Sequence, residues 1–114
     1  MGRETAARVD DRLLEAWQKT LPEIVEPGSG VSVRKDDGDP HALRITVDVA
    51  GRTGYSFDFK CTYLDEREVR VDLIDAEKDG RHLDERNEHV QNLIEREVRH
   101  IHECAQALAV LTNQ

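Results

Sequence analysis

A chain of 114 residues with 35% charged side chains, 4% aromatic and a net charge of -8 has room for one domain around one modest core. No stretch approaches the roughly 20 apolar residues that a bilayer crossing needs, which excludes a membrane protein of that kind. The negative excess is spread along the chain with no basic block, which excludes nucleic acid as a direct partner, because counterion release needs clustered Lys and Arg.

The first residues, among them Arg3, Glu4, Arg8, Asp10, Asp11 and Arg12, contain no apolar run of the secretory kind, so the expected location is cytoplasmic. Two cysteines, Cys61 and Cys104, form neither a disulfide framework nor a CxxC pair and read as reduced core thiols.

Residues 5 to 20 place Ala6, Val9, Leu13, Ala16 and Trp17 along one side, which predicts a first helix ending at Pro22. Trp17 continues the row of Val9 and Leu13 and is expected to anchor the core. Pro27-Gly28-Ser29-Gly30 marks a connector.

From Val31 the period changes to two. Val31 and Val33, then Leu43, Ile45, Val47 and Val49, then Tyr55, Phe57, Phe59 and Cys61, then Val69, Val71 and Leu73 are all odd-numbered, with polar residues between them. Asp36-Asp37-Gly38-Asp39-Pro40, Gly51-Arg52-Thr53-Gly54 and Asp65-Glu66-Arg67 have turn chemistry, so four strands are predicted to pair as an antiparallel meander with one apolar face. Arg44, Thr46, Asp48, Ser56, Asp58, Lys60, Thr62, Arg70 and Asp72 fall on the other, solvated face. Leu64 and Ile74 are apolar exceptions on that parity. Residues 75 to 82 read as a polar connection, with Asp84 as the expected cap of the last helix.

Leu83 to Thr112 reads as a long terminal helix, its stripe formed by Val90, Ile94, Ile101, Ala105 and Leu108. Glu97 falls inside that stripe. A buried carboxylate must meet a cation or donor, and Arg12, Arg86 or a residue of a second chain are the expected partners. His100 and Cys104, four residues apart, share one edge of the helix. Zinc needs three or four ligands and a catalytic thiol needs a presenting turn, so neither a metal nor a catalytic assignment follows from this pair. The Asp36 to Asp39 run lacks the alternating acids and closing Glu of an EF-hand loop.

The expected fold is therefore a single two-layer α+β domain over residues 1–114: N-terminal helix, four-stranded meander, long C-terminal helix. The order is similar to that of double-stranded RNA-binding domains, whose last helix opens on a lysine-rich phosphate clamp, but the matching turn here holds Asp84, Glu85 and Glu88. The expected function is a small acidic, non-enzymatic interaction module of the inhibitor, immunity or chaperone kind. It would bind a protein with a basic surface, with no cofactor and with homodimerisation as a further possibility. Glu97, His100 and Cys104 are the candidate partner or ligand contacts. The alternative is a small-molecule or metal-binding domain, or a small enzyme, that uses the helix-sheet cleft around those residues.

Overall fold

The computed structural model describes residues 7–51 and 54–112. The element order is α1 (Asp11–Ile24), β1 (Gly30–Lys35), β2 (Ala42–Asp48), β3 (Tyr55–Tyr63), β4 (Val69–Lys78), β5 (Arg81–His82), α2 (Glu88–Ala107) and α3 (Ala109–Thr112). The strands form one antiparallel sheet in sequence order, and α1 and α2 pack against the sheet and each other, as an α+β layout requires.

Helix α1 starts later and ends later than the periodicity implies. The side chain of Asp10 accepts a hydrogen bond from the Leu13 amide at 2.9 Å and caps the helix, while Thr5 and Ala6 lie outside the described residues. Residues 7 to 10 instead brace the strand ends, where the Val9 amide donates to the Pro40 carbonyl at 2.9 Å. Pro22 lies inside the helix. It withholds one donor from the ladder, but Leu21 is fully buried and the Val25 amide closes onto the Leu21 carbonyl, so packing keeps the last turn together. Leu13, Trp17 and Leu21, four residues apart, form the buried side.

The alternation holds in the sheet. Leu43, Ile45, Val47, Phe57, Phe59 and Cys61 have no exposed surface and join Trp17, Leu21 and Ile101 in one core. Each of the larger side chains contributes roughly 1.5 to 3 kcal/mol by leaving water, as an upper estimate. The Trp17 Nε1–H donates to the Tyr63 hydroxyl at 3.1 Å, which satisfies the indole inside this core.

Strand β4 departs from the expected pattern. Phe59 pairs with Leu73 but Asp58 pairs with Asp75, so Ile74 is an extra residue, a β-bulge. Before it the odd-numbered Val69, Val71 and Leu73 face the core; after it the inward residue is Ala76, 2% exposed. Asp75 to Lys78 therefore continue the strand and are not a connection. A two-residue turn, Asp79-Gly80 with φ of 53° and 85°, then folds the chain into β5, a fifth strand beyond the four expected. The turn expected at Gly51 to Gly54 includes Arg52 and Thr53, which lie outside the described residues.

The cap of α2 is Asn87, whose side chain accepts from the His89 and Val90 amides, and not Asp84, whose carboxylate accepts from Arg86. The expected long helix is interrupted at Leu108, after which α3 adds one turn. Among the described residues no helix is long and apolar enough to cross a membrane.

Candidate functional site

Glu97 is buried, at 1% exposure, as its place in the apolar stripe implies. Its partners are not Arg12 or Arg86 but neighbours on its own helix. His100 Nδ1 lies 3.1 Å from Glu97 Oε1, and Arg96 Nη2 lies 3.6 Å from Oε2. Arg96 in turn pairs with Glu26, just past the end of α1, at 2.7 Å. His100, three positions on, shares the helix face of Glu97, whereas Arg96, its neighbour in sequence, meets it with the guanidinium that also pairs with Glu26. The network is incomplete, since Glu97 Oε2 and Arg96 Nε are buried without a hydrogen bond. Its geometry ties α2 to the end of α1.

Cys104 does not join it. The thiol is fully buried in the core, and burial raises it to about 12, far from a reactive thiolate; burial raises Cys61 as well. A groove of about 650 Å³ runs between the start of β4 and the end of α2, but it is lined by Arg67, Glu68, Val69, His102, Ala105, Gln106, Ala109 and Val110. Glu97, His100 and Cys104 are not among its walls.

The outer face of the sheet holds the more unusual arrangement. Strand register sets its side chains in rows across the sheet. One row runs Arg34, Arg44, Lys60, Asp72. Two of its cations are answered from the first turn: Arg44 lies 3.6 Å from Asp36 and Lys60 lies 3.6 Å from Asp39. Asp36 and Asp39 also accept the Gly38 and His41 amides, so the acidic run is occupied as a turn.

The next row is Thr46, Asp58, Asp75, and the one after is Asp48, Ser56, Glu77, His82. Asp58 and Asp75 thus stand directly opposite each other, a like-charge pair that weakens strand pairing. The Thr46 hydroxyl donates to Asp58 at 2.5 Å. Glu77 is hydrogen-bonded to Asp75, and that bond, with the charges of Asp75 and Asp58, holds the Glu77 carboxyl above its usual range. Partial burial would raise Asp75 too, but the hydrogen bonds from Glu77 and His82 outweigh it and leave Asp75 below its usual range. His82 Nδ1 lies 3.0 Å from Asp75 Oδ1. Among the described residues no Lys or Arg forms an ion pair with Asp58, Asp75 or Glu77. Ile74, 46% exposed, adjoins the acids in sequence.

Sequence patterning misses this group because Asp75, Glu77 and His82 read as parts of a connection. The signal that finds it is Asp79-Gly80, a hairpin dipeptide between two stretches able to pair.

Comparison with known proteins finds no matching family model, no matching curated protein and no matching solved structure.

Proposed function

We propose that this protein is a small acidic, non-enzymatic interaction module that receives a cationic segment of a partner protein on the outer face of its sheet, at the β3-β4-β5 end. The observation that supports this reading is the Asp58, Asp75 and Glu77 group, three carboxyl side chains on adjoining strand positions with which no described Lys or Arg forms an ion pair. Folding gains nothing from such crowding, whereas a lysine or arginine brought by a partner would relieve it. Exposed Ile74 supplies an apolar contact beside the charges. The net charge of -8 adds long-range attraction for the same class of partner.

A lysine-rich peptide titrated into the full chain tests the reading. Binding is expected at low salt and weakens as salt rises. A triple variant, Asp58→Asn, Asp75→Asn and Glu77→Gln, is expected to lose at least about tenfold in affinity. A second triple variant, Glu88→Gln, Glu95→Gln and Glu103→Gln, removes the same formal charge from the exposed side of α2 and is expected to bind nearly as well as the parent. Equal losses in both would show that net charge alone draws the peptide and would overturn the assignment of the surface.

A further inference from the structure

The β4-β5 hairpin holds more than negative charge. The Asp79-Gly80 turn sets Glu77 directly opposite His82 and Lys78 opposite Arg81. Asp75, two residues before Glu77, emerges on the same face. One oxygen from each carboxyl group and one imidazole nitrogen consequently lie within 4.8 Å of one another. Around a tetrahedral ion with bonds of about 2.1 Å, neighbouring donor atoms stand about 3.4 Å apart. The Nδ1 to Oδ1 separation of 3.0 Å already falls near that value, and the His82 ring, 83% exposed, is able to turn without disturbing the core.

We propose that Asp75, Glu77 and His82 form a binding site for a zinc-class divalent cation. The donor set selects the class. Magnesium and calcium take oxygen ligands and leave imidazole unused, while zinc accepts imidazole nitrogen and carboxylate oxygen together. Three protein donors leave a fourth position for water or an incoming group. The ion's double charge would offset the repulsion between the two acids. Other donor groups do not converge in this way: the Asp36 and Asp39 carboxylates are occupied by amides and cations, and Cys104 is enclosed in the apolar core. The proposal stands on donor geometry and does not depend on a protein partner using the sheet.

Calorimetric titration of the full chain with zinc chloride, in a buffer that binds zinc weakly, tests it. One ion per chain is expected, with affinity weakened by acid because the donors must be deprotonated to bind. His82→Ala and Glu77→Gln are each expected to weaken binding at least about tenfold, while Asp36→Asn leaves it unchanged. Circular dichroism of the metal-free variants checks that the fold is intact, and the His82 ring resonances are expected to shift on zinc addition. No saturable binding, or binding that survives His82→Ala, would overturn the site. His82→Ala removes a zinc donor without removing a negative charge, so it separates this proposal from the peptide reading, for which that variant should bind normally.

Discussion

Glu97 and Glu77 are the same side chain in opposite surroundings. Glu97, 1% exposed, is met by His100 and Arg96, and Arg96 is held in turn by Glu26. Glu77, at the partly open outer face, is met by another acid. Inside the protein the cost of an unanswered charge is high enough that cations are supplied from within the chain. At the surface, water lowers that cost and permits an arrangement that the chain alone does not resolve. The interior pairing therefore accounts for itself structurally, and the exterior crowding directs attention to what arrives from outside.

The contrast can be broken most severely from the buried side. His100→Ala removes the nearest partner of Glu97 and is expected to lower unfolding stability by about 3 kcal/mol in urea. In a Glu97→Leu background the same change should cost less than about 1 kcal/mol. Equal costs in both backgrounds would show that the two side chains are not coupled.

On the exposed side the sign reverses. The folded state holds the Glu77 carboxyl above its usual range, so this group's contribution to stability is present at low pH and is lost as pH rises through that elevated range. Glu77→Gln keeps a donor for Asp75 and adds no charge. It is expected to raise the melting temperature near about pH 7, and the gain should disappear near about pH 4, where glutamate itself becomes protonated. A lower melting temperature at neutral pH would mean that the acids are not in conflict.

The smallest effect is expected where a surface charge already has a cation. Lys35 and Asp11 lie 2.7 Å apart with side chains 45% and 89% exposed, and the lysine holds the Asp11 carboxyl below its usual range. Lys35→Met should leave the thermal midpoint unchanged within error in moderate salt, because exposed pairs are screened. A shift as large as that of Glu77→Gln would erase the distinction between answered and unanswered surface charge.

The layers of the fold are legible in the sequence because period-two and period-3.6 patterns depend on burial, and burial dominates here: Val47, Phe57 and Ile101 meet in one core. Pro22 is a misleading stop, since a lost backbone bond near a helix end is outweighed when Leu21 beside it is fully buried. The burial of Glu97 is readable from its angle on the helix. Its partners are not, because the expectation of a cation from a distant segment passes over the local Arg96 and His100. The outer acidic group is hidden for a different reason. Alternation can be followed only while the count of residues is unbroken, and β4 breaks it in the middle.

Ile74 therefore has an influence out of proportion to its contacts. Were that residue drawn into the regular ladder and not bulged out of it, Asp75 and Glu77 would turn toward the core and Ala76 toward solvent; were it deleted, Leu73 and Asp75 would become consecutive and the alternation would run unbroken. The bulge absorbs the surplus residue, so that a single ribbon waterproofs the interior with Val69, Val71, Leu73 and Ala76 and still presents its carboxylates to solvent. Shortening the ribbon by that residue should therefore leave both faces of the sheet as they are and the chain able to fold.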